Sequence, residues 1–580
     1  MRPINHKPNS QHPKGLGSKT NLRIQNVLTQ AVDLHQRGLL QDALALYEKV
    51  LASEPKNFEA LHLSGLIAYQ TKNAVKGVEL MGAALKINPR SVACMVNLGL
   101  AQHALGDLGG AARNYLAALG VQKNLAQAHY NLGNVFKDQA NWDAARLSYE
   151  RAIILKPDYW EAILNLANVF ESSSQIERSL LHVNRVLCIN PLHSRSYNNR
   201  GNIYKKLERW NEAINDYDLS IQLDNSYPDV YVNRGNLLKD LGYWDYANAS
   251  YNQCLTIHPN HPKAVWNKSL LSLLLGDFKE GWQGYEARWS QENAVALRLI
   301  KMPEVIAAKE WRGKENLKDK KIFVYAEQGI GDTIQFLRFV PQLIQLGAKV
   351  HLMVQPPLIG LIGQIKGVIS VFGFDDQVPE HDLTCPLMSL PLALECNKEA
   401  DFGKTPYLTA DPGKVRIWAN RLTHLANPKV GIVWRGSASH ANDKYRSLSF
   451  EQFRQCIPSF TRCVNLQIEL TTFEREQISN DGRIEEVSDY LIDYSDTAAL
   501  CDVLDLVICV DTSVAHLAAS LGKEVWILLP FSPDWRWLLQ RPDSPWYQKV
   551  ILYRQNRWGD WASALQQIKE DWSKRFNIKT

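Results

Sequence analysis

The sequence lacks several features that assign a chain quickly to a class of protein. Its nine cysteines are scattered and include no C-x-x-C pair, which excludes a disulfide framework and a zinc-ribbon pattern and indicates reduced thiols. The formal net charge is only +5, and there is no long Lys/Arg block. The charge pattern therefore gives no basis for nucleic-acid binding.

Long hydrophobic runs are also missing. The first twenty residues are polar and rich in Pro, Gly and Lys, and no apolar core of a signal peptide follows them. The longest apolar stretches, 505–510 and 524–530, are far shorter than the roughly 20 residues that a membrane helix requires. These absences predict a cytoplasmic protein with no membrane span, in which residues 1–23 form a disordered, basic N-terminus.

What the sequence does contain is a repeat with a period of 34 residues. Prolines, glycines and tyrosines each recur at this spacing or twice it: Pro55, Pro89, Pro157, Pro191 and Pro259; Gly65, Gly99, Gly133, Gly201 and Gly235; Tyr47, Tyr115, Tyr149, Tyr217 and Tyr251. Two antiparallel helices approach closely where a small residue faces a large ring, and proline ends the second helix. The pattern resembles the tetratricopeptide repeat and predicts about eight units over residues 24–295.

A row of asparagines keeps the same period and bears on function. Its members are Asn97, Asn131, Asn165, Asn199, Asn233 and Asn267. A second row follows three residues later, on the same helix face. Because an amide both donates and accepts, we predict that the row binds a protein or peptide in the groove of the array. A similar ladder occurs in eukaryotic protein O-GlcNAc transferases, which the array resembles. The alternative is that these amides cap turns or bridge neighbouring repeats.

Beyond about residue 300, short apolar runs alternate with helical patterns. The runs lie at 321–327, 349–355 and 367–374, and again at 430–434, 463–468, 504–510 and 524–530. Such alternation predicts parallel α/β sheets. The fold class is therefore α + α/β, an all-α tetratricopeptide superhelix followed by two Rossmann-like lobes at 296–410 and 411–580, the second with a C-terminal helix. Two facing lobes are the outline of a GT-B glycosyltransferase.

The loop EQGIGDTIQFLRFVP (327–341) follows the first of these strands and opens a helix. Gly329 and Gly331 permit backbone conformations that cost other residues energy, and let a ligand approach the helix start. A third glycine is missing, so the loop is not read as an NAD fingerprint. Asp332 either caps the helix or acts as a general base toward an acceptor hydroxyl. Glu327 is the other carboxylate within reach of the loop.

The loop ICVDTSVAHLAASLG (508–522) is the second one that could carry chemistry. Asp511, Thr512 and Ser513 can cap the helix that follows, or place hydroxyls and N–H groups where a pyrophosphate would bind. His516, one turn into the helix, could contact a phosphate or a sugar hydroxyl.

The segment WRGSASHANDKYRSLS (434–449) supplies three cations, Arg435, Lys444 and Arg446. They either form a solvated basic loop or contribute to the same donor site.

These loops resemble glycosyltransferase family 9, the heptosyltransferase-like proteins. DTSVAHLAASLG fits the donor-site pattern D-T-x-x-x-H-x-x-x-x-x-G, and GDTIQFLRFVP resembles the G-D…P motif of the N-terminal lobe. Together with the repeats, the chain looks like bacterial proteins that fuse tetratricopeptide repeats to such a domain.

The resemblance implies an inverting, metal-independent transfer from a nucleotide sugar to a hydroxyl, with no cofactor beyond that co-substrate. It implies Asp332 as the base and a donor site at Asp511, Thr512, Ser513 and His516. Cations at Lys444 and Arg446 would compensate the charge of the departing nucleoside diphosphate.

Two alternatives stay open. One is a repeat scaffold or adaptor whose transferase domain is degenerate. The other is a transferase that acts on a saccharide or lipid-linked glycan, with the repeats serving assembly only. The tryptophans of the C-terminal region, including Trp535 and Trp558, are interpreted as packing residues.

Overall fold

The computed structural model describes residues 19–290, 308–363, 365–438, 442–459 and 461–577. They form two compact units, an N-terminal unit that ends at Ser226 and a C-terminal unit that begins at Tyr227. The predicted boundary near residue 300 and residues 1–18 of the predicted disordered N-terminus lie outside the described residues. The prediction of disorder is wrong for residues 19–23, which are helical. They extend by about a turn a helix whose Ile24 and Val27 pack on the core.

The N-terminal unit is all-helical. Its described residues form twelve helices, joined in consecutive pairs by short turns, as the repeat predicts. They are α1 (Lys19–Gln36), α2 (Leu40–Ser53), α3 (Phe58–Gln70), α4 (Ala74–Ile87), α5 (Val92–Ala104), α6 (Leu108–Val121), α7 (Ala126–Asp138), α8 (Trp142–Leu155), α9 (Trp160–Ser172), α10 (Ile176–Ile189), α11 (Ser194–Lys206) and α12 (Trp210–Leu223).

The periodic glycines and tyrosines pack against one another, as the sequence predicts. A Cβ at Gly133 would lie 2.6 Å from Cε1 of Tyr149, so only glycine lets the ring lie flat on helix α7. The buried Tyr149 hydroxyl donates to Oδ1 of Asn134 at 2.7 Å. Gly99 with Tyr115 and Gly201 with Tyr217 repeat the contact. The second asparagine row is thus used in part to satisfy ring hydroxyls.

We expect Gly133→Ala to destabilise the N-terminal unit by about 1–3 kcal/mol, because the added methyl overlaps a ring that has no room to move. Gly120→Ala is the matched control, since a Cβ there meets nothing within 4 Å and alanine is the better helix former by up to about 1 kcal/mol. Thermal unfolding followed by circular dichroism measures both. Equal melting temperatures for the two variants would contradict the packing described.

The C-terminal unit opens with four further helices of the same kind. They are α13 (Pro228–Asp240), α14 (Trp244–Ile257), α15 (Pro262–Leu274) and α16 (Phe278–Tyr285). Gly235 and Tyr251 repeat the glycine–tyrosine contact, and the Tyr251 hydroxyl donates to Asn236 at 2.7 Å.

Helix α16 and the turn after it are fixed to the region of the first sheet. The indole N–H of Trp282 donates to the carbonyl of Cys396 at 2.8 Å, and Arg288 donates to Glu327 at 3.1 Å. Glu327 is 3 % exposed, and burial raises its pKa to about 7 although Arg288 opposes the shift. Glu327 is therefore part of this anchor and not of the loop chemistry that its position in sequence suggested.

The first sheet of the C-terminal unit has five parallel strands among the described residues, in the order β1-β5-β2-β3-β4. They are β1 (Lys309–Glu310), β2 (Lys321–Tyr325), β3 (Lys349–Met353), β4 (Val368–Phe372) and β5 (Leu383–Pro386). Strands β2 to β4 were predicted, and β2, β3 and β5 are buried along nearly their whole length, as expected for strands covered on both faces. The accompanying helices are α17 (Ile330–Phe336), α18 (Val340–Gln345), α19 (Ile359–Ile362) and α20 (Leu390–Ala393).

The second sheet has six parallel strands in its described part, in the order β11-β10-β9-β6-β7-β8. They are β6 (Val430–Val433), β7 (Cys463–Asn465), β8 (Ile484–Glu485), β9 (Leu506–Val510), β10 (Val525–Leu529) and β11 (Val550–Arg554). Its helices are α21 (Pro412–Arg421), α22 (Asp443–Arg446), α23 (Phe450–Phe453), α24 (Thr472–Asn480), α25 (Tyr494–Val503), α26 (Ser513–Ser520) and α27 (Trp561–Arg575). None of the described helices of the chain combines the length and the hydropathy that a membrane crossing requires.

Candidate functional site

A cleft of about 640 Å³ lies in the C-terminal unit, between the loop after β2 and the loops after β6, β7, β9 and β10. All of these loops follow the carboxyl ends of parallel strands, which is where ligands bind in open α/β sheets. The cleft brings together nine of the ten predicted donor-site and catalytic residues: Gly329, Gly331, Asp332, Arg435, Arg446, Asp511, Thr512, Ser513 and His516. The tenth, Lys444, does not line it.

The two glycines of the first loop do not adopt an unusual backbone conformation, and the small size of Gly331 allows close packing. Gly329 has φ −69° and ψ 168°, and Gly331 is not among the residues with positive φ, so the expectation of unusual backbone is wrong for both. A Cβ at Gly331 would lie 3.2 Å from Cδ2 of His516 and 3.4 Å from Cα of Ser513. Glycine therefore lets the first loop lie directly on helix α26.

Asp332 is the third residue of helix α17 and has two partners. Its Oδ2 accepts from the N–H of Gly329 at 2.8 Å, so the side chain does cap the helix start. Its Oδ1 accepts from the guanidinium of Arg536. Each carboxylate oxygen still has acceptor capacity, so the capping role and a role in proton transfer are compatible.

Arg536 is a site residue that the sequence analysis missed. Its Nε donates to Oε1 of Gln335 at 2.6 Å, Nη1 donates to Oδ1 of Asp534 at 2.8 Å, and Nη2 donates to Asp332. The planar guanidinium presents these donors in a fixed fork. The side chain is 8 % exposed, and despite burial the two carboxylates raise its pKa. One buried cation thus joins both walls of the cleft.

The only signal for Arg536 was the segment PDWRW (533–537) directly after β10. Its two tryptophans led to an interpretation as packing, and Trp535 does pack edge-on against Trp282, with ring centroids 5.5 Å apart. The charged residues between the rings belong to the site.

Asp511 and Asp534 are neighbouring carboxylates in the cleft. Burial, and then the charge of Asp534, raise the pKa of Asp511 above its ordinary value. Although burial acts to raise it, Arg536 holds the pKa of Asp534 below its ordinary value. The two carboxylates are therefore electrostatically distinct, and Asp511 is the one that takes up a proton more readily.

Helix α26 begins at the cleft without a side-chain cap. Thr512 occupies the N-cap position and makes no capping hydrogen bond, and its buried Oγ1 has no partner among the described residues. Ser513 Oγ lies 2.6 Å from the hydroxyl of Tyr494. A helix start of this kind offers N–H groups and a partial positive charge to an anion.

His516 is buried at the floor of the cleft and is neutral at pH 7, because burial lowers its pKa to about 3. Its ring stacks on Trp537 at a centroid distance of 5.2 Å. Nδ1 lies 2.9 Å from the Tyr547 hydroxyl. A neutral imidazole has one donor and one acceptor, so acceptance from Tyr547 at Nδ1 leaves Nε2–H as a donor.

The structure separates the three predicted cations. Arg435 is ion-paired with Glu474 at 3.0 Å, and although burial opposes the shift, this contact helps lower the pKa of Glu474 to about 2. Arg446 lines the cleft, and a Cβ at Gly436 would lie only 2.7 Å from its Nη2. Lys444 lies over the ring of Tyr445, 4.3 Å from its centroid, outside the cleft.

The asparagine row has mixed surroundings. In the N-terminal unit Asn97 and Asn131 are fully buried, and Nδ2 of Asn97 lies 3.1 Å from Nε2 of His62. Asn165 donates to Asn134 at 2.8 Å. These contacts join neighbouring repeats, which is the alternative reading of the row. Asn199 of this unit, and Asn233 and Asn267 of the C-terminal unit, are half-buried, and their binding of a polypeptide stays a prediction.

Comparison with known proteins identifies the class of the helical part. Models described as "TPR repeat", "Tetratricopeptide repeat" and "Anaphase-promoting complex, cyclosome, subunit 3" match residues 201–242, 130–187 and 36–118. The helical part therefore contains tetratricopeptide repeats, as predicted, and a region of parallel sheets follows it.

Two curated relatives are similar over part of their length. Protein FlbA of Caulobacter vibrioides is 26 % identical over 328 residues, which is 52 % of this chain and 53 % of FlbA. The barley (Hordeum vulgare) protein "Probable UDP-N-acetylglucosamine--peptide N-acetylglucosaminyltransferase SPINDLY" is 27 % identical over 140 residues, 23 % of this chain and 15 % of that protein. The chain thus spans about half of the first relative and a small part of the second.

Solved repeat proteins are also similar. YrrB, described as a TPR protein with an unusual peptide-binding site, is 20 % identical and matches 33 % of this chain and 100 % of its own, with a TM-score of 0.28. A tetratricopeptide repeat protein from Parabacteroides merdae is 16 % identical over 43 % of this chain and 98 % of its own, with a TM-score of 0.37.

Proposed function

We propose that the C-terminal unit is a glycosyltransferase of the GT-B type, similar to family 9, which transfers a sugar from a nucleotide sugar to a hydroxyl. The observation that carries the proposal is the convergence of nine predicted site residues on one cleft at the carboxyl ends of two parallel sheets. The similarity to SPINDLY, named as a transferase that acts on peptides, agrees with a protein acceptor recruited by the repeats.

In this proposal the donor diphosphate binds at the uncapped start of helix α26. Its negative charge meets the helix N–H groups, Arg446 and the Nε2–H of neutral His516. The acceptor oxygen forms a bond to the anomeric carbon while the bond from that carbon to the diphosphate oxygen breaks. The hydroxyl proton passes to the carboxylate of Asp332, which Arg536 holds in position, and the nucleoside diphosphate leaves with inversion at carbon.

The donor site is tested by a thermal-shift panel of UDP-, GDP-, ADP- and CMP-sugars. A ligand that binds only the folded state at 100 times its dissociation constant stabilises it by about 2.7 kcal/mol. We expect one nucleotide class to raise the melting temperature, and Asp511→Ala to remove that shift. No shift with any of the four, repeated by calorimetry, would contradict the proposal.

The second candidate function is a scaffold, and it rests on one observation. All three matching family models lie in the repeats. A scaffold would bind its partner without turning over any donor, so a transfer and donor-hydrolysis assay with the nucleotide sugar found by the panel separates the two functions.

A further inference from the structure

A second pocket of about 360 Å³ lies in the C-terminal unit, next to the cleft. One wall comes from the repeat helices α13 and α15, and the opposite wall from the loops after β6, β10 and β11 of the second sheet. Five aromatic residues line it: Tyr445, Phe531, Trp535, Trp558 and Trp561. Lys444, the predicted donor-site residue that does not line the cleft, lines this pocket instead.

The pocket opens onto the proposed reaction site. Arg446, Asp511 and Asp534 line both the pocket and the cleft, so a molecule in the pocket ends beside the donor. The guanidinium that binds Asp534 also binds Asp332. A substrate hydroxyl beside Asp534 is therefore close to Asp332, the proposed proton acceptor, because both carboxylates bind the guanidinium of Arg536.

The repeat wall of the pocket continues the asparagine faces of its two helices. On α13 the face carries Asn233 and Asn236 and then Asp240. The equivalent positions on α15 carry Asn267, Leu270 and Leu274. Both series have the spacing i, i+3, i+7, which keeps residues on one helix face. Asp240, Leu270 and Leu274 line the pocket, so each asparagine face leads into it.

The walls are held in place without a ligand. A Cβ at Gly242, in the turn after α13, would lie 3.3 Å from the ring of Phe531, so the repeat turn lies directly on that ring. The rings of Tyr445 and Trp558 meet edge-on, with centroids 4.9 Å apart. Ligand sites are usually preformed in this way, and here the rings lie beside charged side chains such as Lys239, Asp240 and Asp534.

We propose that this pocket docks the acceptor polypeptide, taking one aromatic side chain close in sequence to the modified hydroxyl, while the asparagines of α13 and α15 contact the peptide backbone. The inference rests on the proposed transferase function. A polypeptide is favoured because the asparagine faces of α13 and α15 lead into the pocket, and amide side chains can pair with the C=O and N–H groups of an extended backbone. An aromatic ring brings large apolar area and suits a pocket lined by other rings.

Leu270→Trp tests the proposal, since it fills the pocket from a half-buried position that does not line the cleft. Lys239→Glu changes the charge of the same wall and covers the case that the tryptophan perturbs folding. Leu275→Trp is the matched control, because Leu275 is 49 % exposed and does not line the pocket. The probes are peptides with one Ser or Thr and one aromatic residue at varied spacing, and their modification is measured by mass shift. Calorimetry measures binding of the nucleotide sugar, and a separate assay measures hydrolysis of the nucleotide sugar without acceptor.

We expect the wild type to prefer peptides with the aromatic residue at a particular spacing. Leu270→Trp should lower that modification by about tenfold or more, because a blocked anchor loses its contacts. Lys239→Glu should lower it as well, because it replaces the cation of the repeat wall with a second carboxylate beside Asp240. Donor binding and donor hydrolysis should stay unchanged, as should all activities of Leu275→Trp.

Three results would overturn the inference, and they differ from one another. If the enzyme turns over the donor and both pocket variants modify peptides as well as the wild type does, the pocket is not the acceptor site. If the enzyme modifies only glycan acceptors, and Leu270→Trp loses that activity, the pocket binds a glycan and not a polypeptide. Absence of donor binding and hydrolysis in the wild type refutes the transferase itself, and the pocket assignment with it.

Discussion

Replacement of Arg536 by alanine should lower the free energy of unfolding of the C-terminal unit by about 3 kcal/mol or more. The guanidinium is 8 % exposed and bonds Gln335, Asp534 and Asp332 at once. Its removal leaves Asp332 and Asp534, which are 24 % and 37 % exposed, without their shared counter-charge, and removal of a buried member of an ion pair is strongly destabilising. Chemical denaturation followed by tryptophan fluorescence measures the loss.

Arg541→Ala is the matched control for this prediction. Arg541 also binds two carboxylates, Glu399 at 2.6 Å and Asp543 at 2.8 Å. Those carboxylates are 47 % and 63 % exposed, so solvent compensates them, and a surface pair contributes about 0–1 kcal/mol. Arg536→Lys should recover only part of the stability, because one ammonium cannot reproduce the planar fork. If Arg536→Ala lowers the free energy of unfolding no more than Arg541→Ala does, the contacts of Arg536 do not stabilise the folded protein in solution.

A comparison of Arg536 with the repeats shows which contacts could be predicted from the sequence and which could not. The repeat was predictable because each of its contacts is local: Gly133 meets Tyr149 only 16 positions on, and three further glycine–tyrosine pairs repeat that contact. Arg536 meets Gln335 and Asp332 from 201 and 204 residues away. No spacing in the sequence encodes a contact that arises only when two sheets face each other.

Glu327 and Asp332 show the same limit within one loop. Both are carboxylates five positions apart, and only the resemblance of the loop to family 9, not a physical property of the sequence, favoured Asp332 as the base. The structure separates them because Arg288, supplied by the turn after the last repeat helix, draws Glu327 into a buried ion pair. Asp332 is left at the cleft. Of the four strands that were not predicted, β1 and β8 have two residues each, too short for any alternation to show, whereas β5 and β11 have four and five residues.

Replacement of Asp332 by asparagine should lower kcat of glycosyl transfer by about 10²–10⁴-fold with donor affinity nearly unchanged. Asparagine keeps the size of the side chain but cannot take up the hydroxyl proton, and a positioned general base contributes an effect of this magnitude. Single-turnover transfer and calorimetry of the donor measure the two quantities separately, once the nucleotide class is known from the thermal-shift panel.

The substitution also weakens a helix cap, and the chain offers a control for that part. Asp376 accepts from the N–H of Gly373 at 2.7 Å, which is the contact that Asp332 makes with Gly329 at 2.8 Å, and it does so away from the cleft. Asp376 lies in a turn and not at a helix start, so Asp376→Asn should show the stability cost of this side-chain-to-backbone hydrogen bond alone, about 0.5–1.5 kcal/mol, with full activity. If Asp332→Asn behaves like Asp376→Asn, the proton leaves by another route, and Asp534, bound to the same guanidinium, becomes the carboxylate to replace next.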